Sequence, residues 1–151
     1  MDSVTDTPAD RAEAYRRLFG SFVELDAHDR ITLLAHTVHA VQVCPALAEP
    51  MLAQLHTRGV RTPIIDNPLT GWRTFLTTAP PAGDQRPVQF YLPGSTVHAA
   101  RTVTGCPIPL PSPDDPHRTW HTDPWHEPLA RFDTIADLVP AAVASLKRPA
   151  A

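Results

Sequence analysis

Proline constrains this chain more than any other residue. It supplies 18 of 151 positions, more than twice the usual ~5%, and 13 of the 18 lie from Pro80 onward. Each fixes its own φ and removes an N–H that a helix interior or a central strand needs. The second half should therefore hold short strands and turns, with little helix until the end.

The rest of the composition bounds the class. A chain of 151 residues fits one domain spanning 1–151, with a proline-rich irregular region at about 104–128. An apolar fraction of 42% against 19% charged excludes wholesale disorder. The formal charge of −3 argues against generic attraction to nucleic acid, although a local basic face remains open because 12 of the 13 basic residues are arginine. Two cysteines, Cys44 and Cys106, form no disulfide framework and suggest a reducing cytosol. No apolar run approaches the ~20 residues that span a bilayer, and the acidic N-terminus lacks a signal-peptide pattern, so a cytoplasmic protein is expected.

Periodicity places the elements. Residues 7–25 read as a helix, with Thr7 as N-cap, Pro8 in the first turn and Asp10 completing a capping box. Its stripe is Tyr15, Leu18, Phe19, Phe22 and Val23. Residues 30–44 are ambiguous: Ile31, Leu33 and Leu34 suit a short helix, whereas His39–Cys44 alternates as a strand. Pro45 opens a second helix to Arg58, with Leu47, Met51, Leu52 and Leu55 on one face. Pro50 is expected to start or kink that helix, and Gly59 to cap it. Thr62–Asp66 and Trp72–Thr78 read as strands joined by the hairpin loop Asn67–Gly71, with Ile64 and Phe75 on their buried sides. Val88–Leu92 reads as a strand or a short packed segment, and further strands are expected at Val97–Val103 and Cys106–Leu110, the last confined to an edge by its prolines. Asp133–Lys147 is an amphipathic helix that Pro140 divides. The expected fold is α+β: a small, mainly antiparallel sheet covered by an N-terminal, a middle and a C-terminal helix.

Two segments carry a resemblance. Arg58–Thr78, RGVRTPIIDNPLTGWRTFLTT, and Ala99–Trp120, AARTVTGCPIPLPSPDDPHRTW, follow one another in the chain. Their order resembles that of the bifunctional DNA primase–polymerase domain of actinobacterial chromosomes, plasmids and phages. In that family a helix leads to a T-P-x-V strand, a glycine hairpin and a strand ending in Phe. A later strand runs into prolines, and the loop after it closes on Trp. TPIID, LTGWRTF, TVTGCPIPLPS and RTW hold those places here, over about residues 39–128. The family also carries an Asp-x-Asp metal pair, and a histidine after its glycines. Ala40–Cys44, AVQVC, stands where the pair is expected, and Gly71-Trp72-Arg73 puts arginine near the histidine's place. Two-metal nucleotidyl transfer needs carboxylates around ions ~4 Å apart. The resemblance therefore implies a shortened, non-catalytic relative that binds nucleic acid, nucleotide or a partner protein.

Arg101–Glu127 gathers the remaining chemistry. Arg73, Arg101, Arg118, Trp120 and Trp125 are the ligand-binding candidates, with Arg86 joining a phosphate-facing patch if the strands neighbour one another. Against this stand scattered surface arginines and tryptophans that anchor loops to a core. His117, His121, Asp123 and His126 have the residue types of a zinc site. Pro116 and Pro124 bracket them, and a solvated loop with no metal or other cofactor is the expectation. No catalytic residue is assigned. Two rival classes stay open: a His-rich metal protein or metal-dependent enzyme centred on residues 117–127, and an interaction module that dimerises through its terminal helices.

Overall fold

The computed structural model describes residues 6–91 and 98–146. Met1–Thr5, Leu92, Val97 and Lys147, at the ends of expected segments, lie outside the described residues. The fold is α+β, built on two antiparallel sheets rather than one. In chain order its elements are α1 (Pro8–Phe19), β1 (Val23–Leu25), β2 (Ile31–Leu34), β3 (Val38–Val43), α2 (Pro45–Arg58), β4 (Ile64–Asp66) and β5 (Arg73–Thr78). Then come β6 (Gln89–Tyr91), β7 (His98–Arg101), β8 (Pro107–Leu110), β9 (Thr119–Thr122), α3 (Phe132–Ala136) and α4 (Leu138–Leu146).

The long sheet runs β6-β7-β3-β5-β4-β9. Its spine is β3, paired with β5 over six residues, from Val38 opposite Thr78 to Val43 opposite Arg73. Side chains alternate across a strand, so β3 serves two cores. Val41 and Val43 face α2, α3 and α4 together with Ile64, Phe75 and Ala99. Val38 and Ala40 face the small sheet β1-β2-β8 and α1 together with Ile65 and Leu76. The N-terminal helix thus packs with the small sheet on one face of the long sheet, and the middle and C-terminal helices cover the other face.

Several boundaries depart from expectation for identifiable reasons. The first helix stops at Phe19. Its capping box forms as read, but Gly20 takes φ +92 and the chain re-enters as β1. Phe22 and Leu18 leave the stripe and are exposed. Ile31, Leu33 and Leu34 form β2, not a helix, because Ile31 and Leu33 alternate into the small core. Pro50 does not start α2. It sits inside a continuous 14-residue helix whose Leu47, Ala48, Met51 and Leu55 are buried. That packing offsets the roughly 3 kcal/mol an interior proline costs. The last helix does break in two, but at Asp137; Pro140 falls in the first turn of α4, where no N–H is required. The expected loop at 117–126 contains a strand, β9, which pairs with β4 through a bulge between Ile64 and Ile65.

Other readings hold. Asn67–Gly71 is the hairpin tip between β4 and β5, and Ile64 and Phe75 are buried. Gly59 caps α2 in the left-handed region. Strand β8 is an edge, and its prolines give the reason. Pro107 and Pro109 are two apart, so both missing N–H groups belong to the same side of the strand. The other side, with Ile108 and Leu110, pairs with β2.

Phe75 is fully buried in the larger core. Phe75→Ala should cost about 3–5 kcal/mol, read as a lowered urea midpoint with an unchanged slope.

Candidate functional site

The two sheets do not cover each other completely. Across the small-sheet side of the long sheet runs one lateral row, Ala100–Gln42–Thr74–Ile65–Trp120, fixed by the strand registers. Part of this row floors a cleft of about 250 Å³ lined by Gln42, Ile65, Asn67, Thr70, Trp72, Thr74, Pro109 and Arg118. Local structure explains each wall. The Asn67 carboxamide oxygen accepts from the Leu69 and Thr70 amides at 3.2 and 3.3 Å, which folds the hairpin tip and leaves its amide NH₂ available. The Thr70 hydroxyl accepts from the Trp72 N–H at 3.3 Å. Gly71 takes φ +80, and an added Cβ would lie 3.0 Å from Pro45 Cγ. Only glycine lets the hairpin approach the start of α2 this closely, which sets it beside the end of β3. Arg118 is positioned by Asp115, whose Oδ1 accepts from the His117 and Arg118 amides at 2.8 and 3.2 Å.

The electrostatics of this cleft are simple. Its lining holds amides, hydroxyls and one guanidinium, and no carboxylate. Arg118 is half-buried, and among the described residues no ion pair engages it. Arg73, Arg86 and Arg101 differ in this respect. Arg73 projects to the helix side, with Nε 2.6 Å from Asp66 Oδ1 and Nη1 3.4 Å from Glu49 Oε2. Arg101 is buried against Phe132, with its Nη1 donating to Asp84 at 3.0 Å and to the Arg86 carbonyl at 3.2 Å. Arg86 donates to Asp84, Asp133 and Asp137 at 2.9–3.0 Å. Arg86 and Arg101 are therefore together, tying the 79–86 loop to α3, while Arg73 and Arg118 stand apart from them and from each other. The four do not form one patch.

Trp120 and Trp125 cluster on α1. Trp120 Nε1 donates to the Tyr15 hydroxyl at 2.9 Å, and that hydroxyl donates to the Pro111 carbonyl at 2.5 Å. Burial raises the Tyr15 pKa, partly offset by hydrogen bonds from Arg11 and Trp120. Trp125 stacks on Tyr15 at 5.7 Å, and the Arg11 guanidinium lies 5.8 Å from the Trp125 ring centre. Trp120 anchors the proline-rich segment to the core, and Trp125 remains 45% exposed. The histidines do not converge. His126 pairs with Asp123 at 2.8 Å, His121 lies 3.5 Å from Asp66, and His117 is exposed. Among the described residues no group of three or more His, Cys, Asp or Glu side chains could hold a metal.

Sequence reading missed Gln42, Asn67, Thr70, Trp72 and Thr74 as cleft residues. Strand alternation put Gln42 opposite Val41 and Val43, which was the available signal. It also missed His39, which is 1% exposed. Its Nδ1 lies 3.0 Å from the Thr102 hydroxyl, and its ring meets Phe132 edge-on. Burial lowers its pKa, and the nearby charge of Arg101 adds to that.

Compared with models of known protein families, with curated proteins and with solved structures, the chain matches none. No helix among the described residues is long and apolar enough to cross a membrane.

Two stability tests follow from the ionic groups. Arg101→Ala removes the more buried of Asp84's two arginine partners and leaves Arg86 Nη1 at 3.0 Å, so it should cost about 1.5–3 kcal/mol in chemical denaturation. For His39 the folded pKa lies below the unfolded value of about 6.5, so the unfolded state binds the proton first as pH falls. Its contribution is complete above pH ~6.5 and is lost as pH falls towards the lowered folded value. Unfolding free energy should therefore drop more between pH 7.5 and pH 5.5 in the native chain than in His39→Gln. Equal losses in the two proteins would remove His39 as the cause.

Proposed function

We propose that this chain is a non-catalytic binding module of the primase–polymerase type, with nucleotide or single-stranded nucleic acid as the ligand of the Gln42–Arg118 cleft. One observation carries the reading: a half-buried guanidinium, in no ion pair among the described residues, overlooks a cleft of neutral hydrogen-bonding side chains. Guanidinium groups match phosphate oxygens bidentately, and an arginine already held by carboxylates is poorly available for that. The amide and hydroxyl groups of Gln42, Asn67 and Thr74 offer donors and acceptors suited to a base edge.

The resemblance supports the same site. The end of β3, where the family's metal pair is expected, borders the cleft through Gln42, whereas Arg73, near the place of the family's histidine, projects to the helix side. The side chain β3 supplies there is Gln42, a neutral amide that holds a metal ion poorly. Metal-dependent nucleotidyl transfer would need carboxylates at these positions, and binding does not. The reading carries with it an actinobacterial source and a cytoplasmic location. Its volume of about 250 Å³ suits a single base or sugar-phosphate, below the ~300 Å³ at which pockets for larger ligands begin.

The test is fluorescence anisotropy with a labelled single-stranded oligonucleotide across a salt series. Binding should weaken with salt, and Arg118→Ala should lower affinity and reduce the salt slope by about 0.7, the loss of one phosphate contact. Absence of binding at low salt, or an Arg118→Ala protein with native affinity and slope, would contradict the proposal.

A further inference from the structure

A separate pocket lies on the helix side of the long sheet, between the C-terminal half of α2 and the β4–β9 edge. Its volume is about 180 Å³, near six water volumes at ~30 Å³ each. Leu52, Leu55, Val60 and Ile64 form apolar walls, and Glu127 lines it as the one carboxylate. The Glu127 side chain is only 8% exposed. Its Oε1 accepts from Arg61 Nη2 at 2.5 Å, and Arg61 itself is 74% exposed. Its Oε2 is buried and meets no hydrogen-bond donor among the described residues. A carboxylate oxygen withdrawn from water with nothing in exchange is a costly arrangement, and a donor carrying positive charge relieves it best.

We propose that this pocket seats a primary ammonium group borne on a short alkyl chain. The methylenes lie against Leu52, Leu55, Val60 and Ile64, and the Glu127 carboxylate turns its buried Oε2 toward the pocket to accept from the head. Three features select this chemistry. Four aliphatic side chains offer methylene contacts, and the Thr62 and Thr122 hydroxyls beside them already donate to the Leu76 and Thr62 carbonyls, which suits a carbon chain. An ammonium brings three donors on one small atom and fits against a single free oxygen. A guanidinium asks for both carboxylate oxygens in its fork, and Arg61 already holds one of them. His56 and His121 stand on the rim with Arg61, so the head group enters past the pocket's other basic side chains to reach its acid.

The experiment is a two-dimensional ¹H–¹⁵N titration of the ¹⁵N-labelled chain with n-butylammonium chloride at constant ionic strength. Saturable shifts are expected at the amides of Leu55, Val60, Thr62 and Glu127. n-Butanol, which lacks the charge, and tetramethylammonium, which lacks the donors, should leave these amides in place. Glu127→Gln should weaken binding at least tenfold, and Arg61→Ala, which frees Oε1, should tighten it several-fold. Should Glu127→Gln fail to fold, Arg61→Ala decides: tighter binding supports the site and unchanged binding overturns it. Capped lysine, Nα-acetyl-lysine N-methylamide, serves as a second probe. Tighter binding of capped lysine assigns the seat to a peptide-borne side chain, and tighter binding of n-butylammonium assigns it to a free amine. An unmoved spectrum with both, or equal shifts with n-butanol, would overturn the proposal.

Discussion

The structure depends on the six-residue pairing of β3 with β5. Because β3 is central, its backbone hydrogen bonds are satisfied on both edges, by β5 and by β7. Because it is covered on both faces, each of its side chains must serve one of two cores. Val41 and Val43 hold α2, α3 and α4 to one face; Val38 and Ala40 hold the small sheet and α1 to the other. A slip of one residue in this register would exchange the two sets and expose the cleft row to the wrong core. The two departures from pure apolarity, His39 and Gln42, lie on opposite faces. His39 is satisfied internally by Thr102, and Gln42 opens onto the cleft.

Proline shapes the second half as a device against unwanted pairing. Strand β8 can pair only with β2, since Pro107 and Pro109 remove the donors from its other side. The segment beyond β8 is then fastened by side chains rather than by a ladder. Tyr15 reaches the Pro111 carbonyl, and Trp120 reaches Tyr15. This fastening sets where β9 begins and therefore where Arg118 stands at the cleft mouth. A helix at the N-terminus thus positions a charged residue more than a hundred positions away.

Much of this fold was legible in the sequence where a local rule and the tertiary context agree. The capping box at Thr7 and Asp10, the hairpin at Asn67–Gly71 and the glycine cap at Gly59 each rest on chemistry within a few residues. The failures are those of tertiary override. Ile31–Leu34 has a pattern too short to separate helix from strand, and the small core decides it. Pro50 breaks a helix in isolation, but α2 is held by the four buried side chains around it. Strand β9 reads as polar loop because its sequence, TWHT, is half-exposed at an edge and its pairing partner lies more than fifty residues earlier. For the cleft, single residues could be named, but their convergence could not. Arg118 stood among the arginine candidates, yet nothing local distinguishes it from Arg73, which is neutralised by Asp66 and Glu49 brought in from other elements.

The charge pattern sorts the surface into two kinds. Most buried and half-buried arginines are consumed in holding elements together, as Arg86 and Arg101 hold the 79–86 loop to α3. Arg118 is spent on no such contact among the described residues, and the cleft beneath it holds no carboxylate. The most direct test of this account is amide chemical-shift mapping of the ¹⁵N-labelled chain with a short single-stranded oligonucleotide. The account predicts perturbations concentrated at Gln42, Asn67, Thr70, Trp72, Thr74 and Arg118. Perturbations centred instead on Arg86 and Arg101, or on Trp125 and α1, would contradict it.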